Sequence, residues 1–331
     1  MKLLIITQKY DFNDSNLGIF VEWWNRLAKK TEKIYILALE KQSEPTVSNM
    51  AVISMGKEKG VGFFRKIFGF YAGLFKTIGK IDAILVHMIP KYVILAAPIA
   101  FVFRRPIYMW YTGVSVHSQL RLAVLFCKKV FTAHEAAMRI NTPKRIIVGH
   151  GIDIDKFRIS NFEFRISDKI TILSVGRITP SKGHDLIIKA IAGLVKAGYN
   201  LRLKLIGGVI QEYHRKYADY LKQLAVDLGV RNYLEFIGAV SYDKMPVHFA
   251  GAEILINAVP FGGLDKVVLE AMASGVLPLT SNSAFLNVFS ESVAKQFVFR
   301  EGDFEDLKNK LKNVLDKRLY FNEAIIKELR N

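Results

Sequence analysis

A short segment in the second half of the sequence carries two cations beside a glycine. Gly176 and Arg177 follow an apolar run, and Lys182 comes after four intervening residues, where a helix is expected to open near Pro180. An arginine fork and a lysine point charge suit the two phosphates of a diphosphate, and the start of a helix also favours an anion. The segment therefore predicts a diphosphate site. The alternative is two solvated cations on a surface loop.

A second glycine-rich segment runs into an apolar helical pattern that contains one carboxylate, Glu270. The backbone amides at the start of that helix are expected to point at a ligand in the neighbouring crevice; they belong to Leu264, Asp265, Lys266 and Val267. A carboxylate among apolar residues costs free energy unless it is hydrogen-bonded, and two ribose hydroxyls would satisfy Glu270. The alternative is a helical glutamate that faces solvent.

Short apolar runs that alternate with helical patterns must position these two segments. Near-continuous apolar runs between helices are typical of a parallel sheet covered on both faces. In the first half, strands are predicted over 3–7, 34–39, 51–55, 84–87, 107–111, 130–133 and 146–148, with helices over 20–30, 63–78, 92–103 and 116–127. In the second half, strands are predicted over 170–175, 201–206, 234–237, 254–257 and 276–280, with helices over 185–197, 213–228 and 266–273. The sequence therefore predicts an α/β protein with two tandem Rossmann-like, doubly wound domains, residues 1–158 and 159–318, followed by a helix over 319–331.

The composition narrows the function classes. Lysine and arginine total 47 against 30 acidic residues, and the resulting net charge of +17 favours a polyanionic partner: nucleic acid, anionic lipid or a phosphorylated substrate. No basic–aromatic module supports nucleic acid, so we predict no nucleic-acid partner. The single cysteine, Cys127, excludes an internal disulfide and a cysteine zinc cluster and fits the reducing cytoplasm. The longest apolar run, 92–103, is shorter than the ~20 residues of a membrane-spanning helix.

Together, the two segments resemble the family-4 retaining glycosyltransferases. The family's G-R-x(4)-K-G motif is matched by residues 176–183, and its E-A-M-A-x-G motif is matched about 90 residues later by 270–275. Supporting matches at 149–157 and 236–238 extend the likeness over the domain joint and nearly all of the second half. The resemblance implies the GT-B architecture, in which two Rossmann-like domains face each other across a cleft.

The resemblance also implies an activity, the retaining transfer of a sugar from a nucleotide-diphosphate sugar to a glycan or lipid-linked acceptor. Arg177 and Lys182 would hold the diphosphate and stabilise the charge that develops on it, and Gly238 would lie at the donor site. The spacing of Asp153 and Asp155 fits the domain joint better than a metal site. We therefore predict metal independence and no cofactor, the nucleotide sugar being a substrate.

Two positions depart from the family pattern. Gly262 stands where the family has the first of two glutamates, which usually contacts the donor sugar. Asp265, three residues later, is predicted to replace that catalytic carboxylate, and the alternative is that it only caps the following helix. Gly113 stands where the family has a histidine, beside Thr112, and His117 lies four residues further on. These losses keep open a nucleotide-sugar-binding pseudoenzyme or partner subunit, and a sugar-nucleotide epimerase of the same fold is a further alternative.

The first half offers weaker site candidates. Gly18 follows the loop after the first strand, where it would let the backbone approach the donor, or serve as a turn residue. His87 closes a predicted strand and is a cleft candidate, with a core or capping histidine as the alternative. Thr112, Gly113 and His117 complete the predicted cleft group, and a helix-surface position is the alternative for His117.

Residues 60–80 form a basic amphipathic pattern without any acidic residue. We expect one face of the helix to pack on the first sheet and the other face to contact lipid; the sheet-facing stripe is predicted to comprise Phe64, Ile67, Phe68, Tyr71, Leu74, Phe75 and Ile78. Phe63, Phe70 and the cations are expected to face lipid. The sequence thus predicts peripheral association with an anionic membrane surface, on the inner face of the cell membrane. The alternative is a helix that serves only the core.

Overall fold

The computed structural model describes residues 1–158, 169–209, 212–260, 262–321 and 325. The chain forms two compact units, Met1–Gly149 and His150–Asn331. Each unit contains one sheet whose paired strands all run parallel. The predicted class, two tandem α/β domains, is confirmed.

The first unit is built on a seven-stranded sheet of order β3-β2-β1-β4-β5-β6-β7. Its strands are β1 (Lys2–Tyr10), β2 (Lys33–Lys41), β3 (Met50–Ser54), β4 (Ala83–His87), β5 (Ile107–Trp110), β6 (Cys127–Thr132) and β7 (Arg145–Ile147). Its helices are α1 (Gly18–Ala28), α2 (Phe63–Ile78), α3 (Pro90–Val102) and α4 (Ser118–Phe126). Leu4, Ile5 and Ile6 of β1 are fully buried, because this central strand is covered on both faces.

The second unit is built on a five-stranded sheet of order β10-β9-β8-β11-β12. Its strands are β8 (Ile170–Val175), β9 (Leu201–Ile206), β10 (Leu234–Gly238), β11 (Ile254–Asn257) and β12 (Leu277–Thr280). Its helices are α5 (Ile154–Phe157), α6 (His184–Lys196), α7 (Arg215–Asp227), α8 (Met245–Ala250), α9 (Lys266–Ser274), α10 (Glu291–Phe297) and α11 (Phe304–Asp316). The order reverses beside β8, so the loops after β8 and β11 lie at the switch point where α/β proteins bind ligands.

The units divide nine residues earlier than the predicted boundary at 158. The reason is the short helix α5, whose Phe157 is fully buried in the second unit against Tyr242 and Phe249. Of the helix predicted over 319–331, the structure describes a short 3-10 turn, Leu319–Phe321, and residue 325. The rest of that prediction lies outside the described residues.

The helix α2 is present as predicted, but its orientation is a correction. Phe64, Phe68 and Phe75, expected to face the sheet, are exposed, whereas Phe70, expected to face lipid, is fully buried. Two glycines explain the difference, since a Cβ on Gly69 would lie 3.1 Å from the Met55 carbonyl oxygen, and one on Gly73 would lie 2.5 Å from Leu37 Cδ1. The glycines let their side of α2 approach the sheet closely. A prediction based on the positions of large apolar residues does not take this close approach into account. Over the described part of the chain, no helix is long and apolar enough to cross a bilayer.

Candidate active site

Glycines stand at or just after the carboxyl ends of three neighbouring strands of the second sheet, β8, β9 and β10. Backbone hydrogen bonds connect these strand ends. Gly176 donates its amide hydrogen to the Ile206 carbonyl oxygen at 2.9 Å, and Gly207 donates to the Gly238 oxygen at 2.8 Å. A Cβ on Gly207 would lie only 1.8 Å from the Gly176 carbonyl oxygen. No side chain fits at position 207, so this close approach fixes the course of the loop after β8. Gly207 was not among the residues predicted from the sequence, although a Gly-Gly pair directly after a strand is a signal for such an approach.

Replacing Gly207 with alanine is expected to destabilise the second unit by about 3 kcal/mol or more, because the methyl group must push the Gly176 backbone aside. Urea denaturation of the full chain measures the change. Gly251→Ala is the matched control, because its nearest contact to an added Cβ is an ordinary 3.7 Å. Equal stability of the Gly207 variant and wild type would show that the loop is not held in this way.

The loop after β8 carries the two predicted diphosphate-binding cations. Arg177 is exposed, and Lys182 ends a short 3-10 turn, Pro180–Lys182. The helix α6 begins only at His184, later than the predicted opening near Pro180, because Gly183 adopts a left-handed conformation with φ of 61°. The side chain of Lys182 runs along Gly176, where an added Cβ would come within 3.3 Å of its Cδ and Cε. Because Gly176 has no side chain, the side chain of Lys182 can lie close to the backbone there.

The side chain of His184 connects this loop to the end of β8. Its ring is buried, with Nδ1 3.3 Å from Ser174 Oγ and Nε2 3.2 Å from the Arg177 carbonyl oxygen. Burial lowers the pKa of His184 to about 4, and the Lys182 charge also lowers it, so the ring is neutral at pH 7. A neutral imidazole donates one hydrogen bond and accepts one, which suits a hydroxyl on one side and a carbonyl on the other. His184 was not predicted as a site residue, because a lone histidine at a helix start has no distinctive spacing in the sequence.

The structure brings the two predicted segments together through Lys182 and Asp265. Lys182 Nζ lies 3.7 Å from Asp265 Oδ1, and both side chains are partly buried. Asn282 holds the aspartate from the other side, donating from Nδ2 to Asp265 Oδ2 at 3.0 Å and to the Gly263 carbonyl oxygen at 2.8 Å. Asn282 is itself fully buried and accepts a hydrogen bond from the Ala284 amide. The carboxylate of Asp265 is thus held in a defined position.

This geometry is a correction to the capping alternative for Asp265. The residue occupies the position before α9, but its side chain makes no capping hydrogen bond to the helix. By contrast, Asp303 caps α11 with Oδ1, which accepts from the Asp306 amide at 2.9 Å. The Asp265 carboxylate therefore serves Lys182 and Asn282 instead of the amides of α9. Asn282 had no signal in the sequence, because it lies 17 residues away and acts through the fold.

Two ionisable residues of the helix α9, Lys266 and Glu270, interact electrostatically, and Lys266 also interacts with His150 in the preceding part of the unit. Glu270 is buried, so the solvent-facing alternative is wrong, and it lies one turn after Lys266. Burial lowers the pKa of Lys266 to about 8, although the negative charge of Glu270 raises it. Burial and the nearby Lys266 charge lower the pKa of His150 to about 3, which keeps that ring neutral. Leu264 and Val267, the remaining predicted residues of this segment, are partly buried on either side of Asp265 and Lys266.

In the first unit, His87 is a core histidine. It is buried, its Nδ1 lies 3.2 Å from Thr7 Oγ1, and its ring packs 4.1 Å from the ring of Phe20 between centroids. Thr112 lies on the loop after the neighbouring strand β5 and donates from its amide and hydroxyl to the sulfur of Met88. The core alternative therefore describes the surroundings of His87.

The remaining site candidates of the first unit, Gly113, His117 and Gly18, each make a specific contact within that unit. A Cβ on Gly113 would lie 2.5 Å from the hydroxyl oxygen of the buried Tyr111, so a histidine there would require the Tyr111 ring to move. His117 is exposed and caps α4, accepting a hydrogen bond from the Leu120 amide at 3.2 Å. Gly18 is buried, its amide donates to the Asp14 carbonyl oxygen, and an added Cβ would lie 2.7 Å from the Phe12 oxygen. Close packing against the Phe12 backbone is therefore a structural reason for glycine at this position.

Among the described residues, no group of three or more histidine, cysteine, aspartate or glutamate side chains could hold a metal ion.

Comparisons with known proteins agree with this architecture. The model of a family described as "Glycosyl transferases group 1" matches residues 155–331. A GDP-mannose-dependent alpha-(1-6)-phosphatidylinositol monomannoside mannosyltransferase of Mycobacterium tuberculosis is 30% identical over 40% of the chain. That match spans only 37% of the mycobacterial protein. Protein CapJ of Staphylococcus aureus is 24% identical over 100% of the chain and 90% of its own length.

Among solved structures, Anabaena Alr3699/HepE in complex with UDP and glucose superposes with a TM-score of 0.79. The sequence identity is 17%, and the match covers 100% of this chain and 94% of the Anabaena protein. This likeness extends the shared fold over both units. The family match covers more than half of the sequence, and it includes both the cationic loop after β8 and the helix α9. The chain therefore belongs to the glycosyl transferases group 1 family.

Proposed function

We propose that this protein transfers a sugar from a nucleotide-diphosphate sugar to a glycan or lipid-linked acceptor, with retention of configuration and without a metal ion. The observation that carries the proposal is the 3.7 Å approach of Lys182 Nζ to Asp265 Oδ1. It joins the cationic loop after β8 to the loop before α9. A group that binds phosphate and a group that binds hydroxyls thus stand side by side at the switch point of the second sheet.

In this proposal, Arg177 and Lys182 neutralise the diphosphate. When the bond between the sugar and the phosphate breaks, negative charge grows on the leaving diphosphate while positive charge grows on the sugar ring. Cations fixed beside the leaving oxygen stabilise that transition state more than the ground state, which is the source of rate enhancement. His184 and Gly207 keep the loop in place, so little reorganisation is needed when the donor arrives.

Asp265 is the proposed partner of the donor sugar. Its carboxylate accepts from Asn282 at Oδ2, while Oδ1 faces Lys182 at a distance longer than a hydrogen bond. A sugar hydroxyl donating to Oδ1 would improve on that long contact, and a phosphate oxygen would in turn take Lys182. Donor binding therefore exchanges one loose ion pair for two charge-assisted hydrogen bonds. This arrangement supplies a carboxylate near the position that Gly262 leaves without one.

Retention of configuration, the kind of acceptor and the place of the reaction are further parts of the proposed function. Retention follows in this proposal from attack by the acceptor on the face that the diphosphate leaves, for which a pair of glycosidase-type carboxylates is not required. The mycobacterial relative is named for GDP-mannose and a phosphatidylinositol mannoside, which supports a lipid-linked acceptor. We also propose that the reaction takes place in the cytoplasm beside a membrane, which fits the single, reduced cysteine.

Glu270 is the proposed ribose ligand. Replacing it with glutamine is expected to weaken binding of a nucleoside diphosphate by about 1.5–3 kcal/mol, because hydrogen bonds to a charged acceptor are lost. Calorimetric titration measures the change, and the 2′,3′-dideoxy nucleotide should show no further loss in the variant. Equal affinity of the wild-type protein for the ribo and dideoxy forms would contradict the assignment.

Incubation with radiolabelled UDP-, GDP- and ADP-sugars tests the activity itself. Release of nucleotide with transfer or hydrolysis of the sugar is the expected result. Conversion of the sugar while it stays on the nucleotide would instead indicate an epimerase. Binding without any turnover would favour the second candidate, a nucleotide-sugar-binding pseudoenzyme or partner subunit, which the glycine at position 262 keeps in contention.

A further inference from the structure

Three helices of the first unit expose an unusual number of large apolar side chains. They are Phe63, Phe64, Phe68 and Phe75 from α2, Phe101, Val102 and Phe103 at the end of α3, and Leu122, Leu125 and Phe126 from α4. We name this set the aromatic surface. Phe64 is 84% exposed, Phe68 76% and Phe101 86%. Scattered exposed apolar residues are ordinary, whereas a cluster of this size indicates an interaction site.

The three helices form one layer on one face of the first sheet. Their inner sides share a single buried core, to which α2 contributes Phe70, α3 contributes Ala97 and α4 contributes Ala123. Phe70 stacks on Tyr92 with ring centroids 5.7 Å apart, which places α2 against α3. Because the inner sides are packed on the sheet, the exposed side chains of the same helices point outward together.

Charge on these helices has one sign. The segments 60–80, 88–106 and 115–130 contain no aspartate or glutamate. They contain ten lysines and arginines: Arg65, Lys66, Lys76, Lys80, Lys91, Arg104, Arg105, Arg121, Lys128 and Lys129. Seven of the ten are exposed, and Lys91 Nζ lies 5.2 Å from the ring centroid of Phe63, so cation and aromatic are in contact. Apolar side chains flanked by cations are the combination that inserts into an anionic lipid interface.

We propose that the aromatic surface docks the first unit onto an anionic lipid bilayer, with its phenylalanines inserted among the acyl chains and its cations among the headgroups. The helices lie in the interface plane, because their inner sides remain packed on the sheet. Aliphatic stems of lysine and arginine reach outward from the apolar zone, so charge and burial do not conflict. A second copy of the chain is a poorer occupant, because the seven exposed cations of one copy would face those of the other. The proposal extends the sequence-based expectation from α2 alone to three helices, and it does not depend on sugar transfer.

Vesicle flotation tests the docking without donor or acceptor. Wild-type protein is expected to bind vesicles that contain phosphatidylglycerol at least about tenfold more tightly than vesicles of phosphatidylcholine alone, and to lose this preference at high salt. The double variant Phe64→Ser/Phe68→Ser should lose at least about tenfold in affinity for the anionic vesicles, since it removes two exposed aromatic side chains that would be buried in the lipid. Val247→Ser is the matched control, because Val247 is 75% exposed in the second unit, and its binding should equal that of wild type.

Charge and self-association give independent checks. Arg65→Gln/Lys76→Gln should weaken binding to the anionic vesicles, whereas Lys310→Gln on α11 should not. All the replaced side chains are solvent-accessible, so melting temperatures should stay near that of wild type. Equal binding of the Phe64/Phe68 variant and wild type would overturn the proposal. So would a concentration-dependent dimer in sedimentation that the same variant abolishes, in the absence of vesicle binding, because the surface would then join two copies.

Discussion

Replacing Lys182 with methionine is expected to lower turnover at saturating donor by about 10²–10³-fold, the usual effect of removing one group that stabilises a developing anion. Affinity for a nucleoside diphosphate should fall as well, by about 1.5–3 kcal/mol. Methionine keeps the length of the side chain that passes along Gly176, so the loop should keep its course. The loss should therefore reflect charge alone, and steady-state kinetics with labelled donor measures it.

Lys189→Met is the matched control. Lys189 is a partly exposed lysine of the same unit, on α6, whose ion pair with Asp185 is long at 4.0 Å. Its removal should leave turnover within about twofold of wild type, since exposed ion pairs contribute little. Wild-type turnover in the Lys182 variant would remove the diphosphate role. Equal losses in both variants would indicate a general effect of positive charge on donor capture.

Asp265→Asn is expected to give the second large effect, a fall in turnover of about 10²-fold with an unchanged melting temperature. Asparagine can still accept the hydrogen bond from Asn282 through its own carbonyl oxygen, so the fold around β12 should persist. The negative charge beside the sugar is lost. Affinity for the free nucleoside diphosphate should be at least as high as in wild type, because Lys182 no longer has a competing carboxylate 3.7 Å away.

The control for Asp265 is a true helix cap. Asp303 accepts a hydrogen bond from the α11 backbone, and Asp303→Asn should preserve both stability and turnover because asparagine caps about as well as aspartate. Wild-type turnover in Asp265→Asn would reduce Asp265 to a structural residue. A drop in melting temperature that accounts for the lost activity would have the same consequence.

The strands, and the two segments proposed to bind the donor, could be located from the sequence for a simple reason. Buried parallel strands need continuous apolar runs, and the strands over 170–175, 201–206 and 254–257 have the predicted bounds. A glycine followed by cations at a strand end is likewise a local signal, so the loop at 176–183 could be recognised without knowledge of the fold. The family resemblance rested on the same local signals, and the family match confirmed it.

The missed features depend on contacts between residues that are distant in sequence. Asn282 positions Asp265 from 17 residues away, and Gly207 is fixed by a carbonyl oxygen on another strand. The orientation of α2 was predicted incorrectly because glycines line its buried side, where the sheet comes close. Gly113 looked like the loss of a functional histidine, whereas any side chain there would require the Tyr111 ring to move. Such steric requirements are invisible until the neighbouring element is known.

Calorimetric titration of Arg177→Ala tests whether the loop after β8 binds a diphosphate. UDP, GDP and ADP, each paired with its nucleoside, are titrated into wild type and variant. The preferred diphosphate is expected to bind wild type far more tightly than its nucleoside does. Arg177→Ala is expected to lose about 1.5–3 kcal/mol of binding free energy for the diphosphate and nothing for the nucleoside. Unchanged affinity of the variant for the diphosphate would mean that this loop does not hold the diphosphate.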